Sequence, residues 1–97
     1  MSAPCPVFGF HVELTLAFGL SERTVGDLWR DFRRNIVEGR GLVCEREAAG
    51  EQWSMTLRGE ASQATDSDRE AVTQWAAGRS EIQSLEIGPL VDLAEVG

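Results

Sequence analysis

The chain is defined first by what it lacks. It has no lysine, so all nine of its basic residues are arginine, and against sixteen aspartates and glutamates they leave a formal charge of −7. As a global field that charge repels nucleic acid and anionic membrane, so any polyanion contact must come from a local basic patch. There is one histidine, His11. A site with two imidazole ligands cannot be built within one chain, and a Ser-His-Asp arrangement would have to use this residue. Only two cysteines occur, Cys5 and Cys44, with no CxxC spacing and no histidine pair, so neither a zinc site nor a disulfide framework is indicated. Both read as reduced thiols, with Cys44 packed in the core. No run approaches the roughly 20 apolar residues of a membrane-spanning helix. The apolar stretch near the N-terminus alternates and has no basic lead-in, so no signal peptide is read and a cytoplasmic location is expected. No GxxxxGK[ST], GxGxxG or GxSxG element is present, which leaves phosphate-loop, dinucleotide and hydrolase-elbow chemistry without support.

What is there is ordinary globular material. With 42% hydrophobic and 26% charged residues, the composition is that of a folded protein. Ninety-seven residues suffice for one core but not two, so a single domain is expected over 1–97, with 1–6 as an extended lead around Pro4 and Pro6 and 90–97 as a C-terminal tail.

The organising stretch is 8–18, FGFHVELTLAF. Phe8, Phe10, Val12, Leu14, Leu16 and Phe18 fall on every second position and share one face of a strand, with His11, Glu13 and Thr15 on the other. Ser21 then offers an N-cap with Glu22 in the first turn. Val25, Leu28, Trp29, Phe32 and Ile36 recur at helical spacing and predict one helix to about residue 38, stopped by Gly39 and Gly41. The segments 42–47 and 52–58 alternate, the first placing Leu42 and Cys44 on one side, the second Trp53, Met55 and Leu57; the short connection between them predicts a hairpin. After a polar loop, Thr65 opens a second helix with an acidic first turn and Asp68 at the capping-box position. Its apolar stripe is Ala71, Val72 and Trp75, and Gly78 ends it. A fourth strand over 80–87 points Leu85 and Ile87 inward and stops at Pro89.

The order β-α-β-β-α-β predicts a two-layer α+β sandwich, an antiparallel four-stranded sheet with both helices on one face, ferredoxin-like or close to it. The opposite face, bearing His11, Glu13, Thr15, Glu45, Glu47, Ser54, Thr56, Arg58 and Glu86, is open and polar. His11 there reads as a solvated strand histidine. RNA-recognition modules on similar sandwiches stack bases on exposed aromatic residues of the central strands, but these positions hold glutamates and short polar groups, which disfavours that mode. No carboxylate sits in an apolar pocket that would raise its pKa, so an enzyme is not expected.

One basic feature remains. At about 100° per residue Arg23, Arg30 and Arg34 lie together opposite the apolar stripe of the first helix, with Arg33 on the flank. They are either a solvated face paired as Asp27 with Arg30 and Asp31 with Arg34, or a docking face for a phosphate backbone or an acidic protein.

Several of these positions, Gly9-Phe10 in the alternating strand, Asp31-Phe32 and Ile36 in the first helix, Leu42, the glycine hairpin, and Thr65, Val72 and Trp75 in the second, resemble the YggL family of bacterial proteins that bind the large (50S) ribosomal subunit. The resemblance runs from about residue 9 to 92. It implies a cytoplasmic, non-catalytic accessory role in assembly or maturation of that subunit, with ribosomal RNA or a ribosomal protein as partner, no cofactor and no membrane; a homo-oligomer is compatible with it. Family members carry a basic N-terminal segment, whereas MSAPCPV has no basic residue, so Arg23, Arg30, Arg33 and Arg34 are the candidate contacts. The −7 charge also suits an acidic protein-interaction domain, such as an inhibitor of a basic partner. Elemental analysis of the purified monomer is expected to find no stoichiometric metal; one zinc per chain would overturn that expectation.

Overall fold

The computed structural model describes residues 7–48, 50–60 and 63–93; the lead 1–6 with Cys5 lies outside them. β1 (Phe8–Leu16) is the central strand, with β3 (Gln52–Gly59) antiparallel on one side and β4 (Ile82–Ile87) antiparallel on the other. β2 (Leu42–Ala48) completes the predicted hairpin beyond β3, giving the order β2-β3-β1-β4. This is the expected two-layer α+β arrangement with one addition. The tail forms a short strand, β5 (Val91–Asp92), against Phe8 and Gly9, and so lengthens the sheet beyond the ferredoxin-like plan. Leu93 N–H also donates to the Val7 carbonyl at 2.8 Å.

The alternation predicted for β1 holds at its centre. Phe10, Val12, Leu14 and Leu16 are buried with Trp53, Met55 and Leu57, because β1 pairs Phe10 with Leu57, Val12 with Met55 and Leu14 with Trp53. The strand is shorter than 8–18. Its register with β4 shifts after Thr15, Ala17 N–H is taken by the Glu81 carbonyl, and the chain turns out of the sheet. Phe18 is therefore 93% exposed instead of inward, and Phe8, at the sheet's end opposite Asp92, keeps 37% exposure. β4 likewise begins at Ile82 because Ile82 N–H closes a turn onto the Arg79 carbonyl at 3.1 Å.

α1 (Glu22–Phe32) starts where Ser21 predicts, the Ser21 hydroxyl accepting from Thr24 N–H at 3.1 Å. The helix does not run as one α-helix to residue 38. Arg33–Glu38 is a wider π-helical segment in which Gly39 N–H reaches back to the Arg34 carbonyl at 3.0 Å. Leu28, Phe32 and Ile36 are all buried at intervals of four. That spacing drifts around an α-helix of 3.6 residues per turn, and the wider turn offsets the drift so that Ile36 still faces the core. Gly39 follows from the same geometry: a Cβ there would sit 2.7 Å from the Asn35 carbonyl oxygen.

α2 (Asp66–Ala76) has the predicted capping box. The Asp68 carboxylate accepts Thr65 N–H at 2.8 Å and, although Asp68 is almost fully buried, its other oxygen takes the Arg40 Nε–H at 2.6 Å. A buried carboxylate is tolerated because it is paired and hydrogen-bonded. The C-terminal end of α2 is held by Asp31. Its Oδ2 accepts Trp75 Nε1–H at 2.9 Å and Arg79 Nη2–H at 2.7 Å, while Oδ1 takes Asn35 Nδ2–H at 2.8 Å.

Phe32 lies between three indoles: near-parallel to Trp29 at 5.8 Å, and edge-on to Trp53 at 6.3 Å and Trp75 at 5.0 Å. Val72 and Trp75 are the only bulky side chains that α2 buries, apart from the paired Asp68. Replacing Trp75 with alanine removes both the ring and its bond to Asp31 and is expected to cost roughly 3–5 kcal/mol in a denaturation series; a loss below about 1 kcal/mol would show that α2 does not depend on this anchor.

Candidate functional site

The open sheet face carries the polar groups that the alternation placed there, joined into a network. His11 Nε2 lies 3.1 Å from Ser54 Oγ and Nδ1 lies 3.4 Å from Thr56 Oγ1, because His11 sits opposite Thr56 and one step from Ser54 in the β1–β3 register. Glu13 approaches at 3.8 Å, but on Nε2, the same nitrogen as Ser54. A hydroxyl activated by imidazole needs the carboxylate on the other nitrogen, so this cluster is not a nucleophile and base with an orienting acid. Next to it Arg58 Nε–H donates to Glu45 at 3.3 Å, and Glu13 stands opposite Glu86.

Gly9 also lies on this face, buried. A Cβ there would sit 2.5 Å from the Leu57 carbonyl oxygen and 2.7 Å from Leu93 Cδ1. The tail thus closes over β1 at a point that only a glycine leaves free. This gives physical content to the Gly9-Phe10 pair noted in the sequence.

The arginines of the first helix sit as the spacing predicts, all four exposed. Their pairing differs from expectation. Arg30 Nη1 meets Asp27 at 3.1 Å as expected, and Arg33 Nη2 reaches Glu38 at 3.7 Å. The pair Asp31 with Arg34 does not form. Asp31 is committed to Trp75 and Arg79, contacts that helical spacing alone cannot foresee because Arg79 lies 48 residues away. Arg34 is left without a carboxylate partner among the described residues, as is Arg23. Arg30 and Arg34 line a shallow cleft of about 200 Å³ with Asp27 and Asp31.

Arg46 in β2 is a further residue that the periodicity and charge pattern do not single out. It continues the inward series Leu42, Cys44, and its partner in β3 is the buried Met55. A cation on a helix-facing position stacks where aromatic faces are available, and its guanidinium carbon lies 4.0 Å from the Trp29 ring centroid and 5.4 Å from that of Trp53. The interruption of an apolar series by arginine, in a chain rich in tryptophan, was the signal.

Cys44 packs against the core, half-buried, and its Sγ lies 3.6 Å from Met55 Sδ. Burial pushes its thiol up from the ordinary value, against the pull of the Arg46 and Arg33 charges. At neutral pH it is a protonated, weakly reactive group. No group of three or more histidine, cysteine, aspartate or glutamate side chains placed to hold a metal ion occurs among the described residues, and no helix among them is long and apolar enough to cross a membrane.

No curated protein shows a significant match to the chain. A family model described as YggL 50S ribosome-binding protein matches residues 6–94, from the lead before β1 past β5, and so spans every element described above. The same region holds the glycine under the tail, the capped second helix and the tryptophan anchor that carried the resemblance in the sequence, and the chain belongs to the YggL family of 50S ribosome-binding proteins.

Proposed function

We propose that the protein binds the large ribosomal subunit through the exposed arginine face of α1 and its π-helical extension, with Arg23 and Arg34 as the leading contacts and Arg30 and Arg33 beside them. Family membership supports the partner. The observation that carries the choice of surface is the diversion of Asp31 to Trp75 and Arg79, which leaves the Arg34 guanidinium uncommitted on an exposed face. In a chain of net charge −7, uncommitted arginines are the means of approaching a phosphate backbone. Arginine also suits the task chemically, since its planar fork binds phosphate oxygens in pairs. The open sheet face does not compete for this role, because it presents glutamates.

The role is non-catalytic. The imidazole is tied to hydroxyls on an exposed sheet, and the Glu13 carboxylate beside it is on the wrong nitrogen for triad chemistry. An accessory function in assembly or maturation of the subunit, in the cytoplasm, follows from the family reading.

Changing Arg23 and Arg34 to glutamate tests the surface. Neither side chain has an ion pair to lose among the described residues, and a glutamate at 23 is favoured by the dipole at the start of α1, so the thermal midpoint should hold. Cosedimentation with 50S subunits at moderate salt should be lost. In milder single variants, the slope of log affinity against log salt should fall by about one per phosphate contact removed. Equal cosedimentation of wild type and double variant across a salt series would overturn the arginine face as the anchor.

A further inference from the structure

On the other flank of α1 from Arg30 and Arg34 lies an apolar groove of about 370 Å³, bounded by the first turns of α1 and by Gly50 and Glu51 ahead of β3. Leu20, Val25 and the exposed edge of Trp29 form its walls. None of the three is fully buried by the fold, and Phe18, two residues before Leu20, stands almost wholly in solvent.

Gly26 lines the groove too, in the middle of α1. Glycine weakens a helix interior, and a close approach by a neighbour within the fold is one reason for placing it there. Inside this molecule there is none, since a Cβ at Gly26 would meet nothing within 4 Å. The absent side chain instead leaves the helix backbone accessible from the groove, as where another chain must come close.

The charge at the rim decides what fits. Glu22 and Glu51 both border the groove, and neither has an ion pair among the described residues. The cation there, Arg46, is laid over the Trp29 ring and forms part of the wall. Two free carboxylates around an apolar slot repel a phosphate backbone. A second copy of this chain, itself at −7, brings like charge to the same rim.

We infer that the groove docks a basic polypeptide segment, one aromatic or branched aliphatic side chain of which enters beside Trp29 and Gly26 while flanking lysines or arginines pair with Glu22 and Glu51. The site is separate from the arginine face. A protein that binds the subunit through that face would hold a basic protein segment here as a second contact, and each surface stands or fails on its own.

The test uses the full chain labelled with ¹⁵N and a blocked hexapeptide in which phenylalanine-leucine is flanked on each side by two basic residues. Titration should shift the Val25, Gly26 and Glu51 amides and the Trp29 indole, with saturation at peptide concentrations below about 1 mM. Gly26→Leu fills the slot and replaces a poor helix former with a good one. It should weaken the peptide at least about tenfold while its thermal midpoint equals or exceeds wild type. The double variant Glu22→Gln, Glu51→Gln should weaken binding and flatten its salt dependence. The proposal is overturned if Gly26→Leu binds equally well, if an acid-flanked peptide competes as effectively, or if no saturation occurs. It is also overturned if oligouridylate moves the groove signals and the peptide does not, or if protein concentration alone moves them, which would mark an RNA contact or self-association. Cosedimentation of Gly26→Leu with 50S subunits should persist at low salt, where the arginine face suffices.

Discussion

The carboxylate of Asp31 is the point on which the helical layer depends. An indole N–H, a guanidinium and an amide converge on its two oxygens at 2.7 to 2.9 Å. Hydrogen bonds to a charged group contribute about 1.5–3 kcal/mol each when shielded, and less here because the carboxylate keeps partial exposure. Their geometric effect is larger than their energy. They fix Trp75 in its T-shaped contact with Phe32, hold the end of α2 against α1, and place Arg79 over the Trp75 ring at 4.4 Å. The same bonds commit the Asp31 carboxylate to Trp75 and Arg79, so one residue both closes the core and leaves Arg34 without a carboxylate partner among the described residues.

The distribution of arginine follows a similar logic. Arg40 caps the buried Asp68, Arg69 ties α2 to the Gly88 carbonyl at the end of β4, Arg58 crosses to Glu45, and Arg46 covers tryptophan. Each of these arginines has a carboxylate, carbonyl or ring partner, whereas Arg23 and Arg34 on the first helix have no carboxylate partner among the described residues. The two flanks of α1 therefore differ in kind, one carrying exposed guanidinium groups, of which Arg34 has no carboxylate partner among the described residues, and the other an apolar groove with a carboxylate rim. The open sheet face has neither character, since its hydroxyls and imidazole are bonded to one another.

Much of this was legible in the residues. The period-two series through β1 and β3 identified the buried face because side chains of an unbulged strand alternate, and Trp53, Met55 and Leu57 share one side of it. The Thr65–Asp68 box was readable for the same reason, being a contact closed within four residues. The ends of the β1 pattern were not. Phe8 and Phe18 share its period, yet whether a partner strand continues beside them depends on β4 and β5, far away in sequence. The π-helical turn was hidden because intervals of four fit either helix until the core shows which side chains are buried together. The tail's strand is not legible in the sequence, since two residues give no periodicity; only the close approach at Gly9 and the stretch of β1 beyond β4 define it.

The sequence by itself determined the two layers, the element order, the face of each strand that is covered, and the side of α1 on which Arg23, Arg30 and Arg34 stand, for all of these follow from periodicity and local capping. Tertiary structure alone decided which charges are free. Whether Arg34 faces solvent with or without a partner is settled by Arg79 and Trp75, 45 and 41 positions along the chain from Arg34, and whether Arg46 is a surface cation or a lid on tryptophan is settled by the packing of α1 on β2. Hydrogen bonds and ion pairs act over a few ångströms in space with no regard for distance along the chain. Patterns that repeat every two or four residues describe the frame, and the neighbours that the frame brings together determine its chemistry.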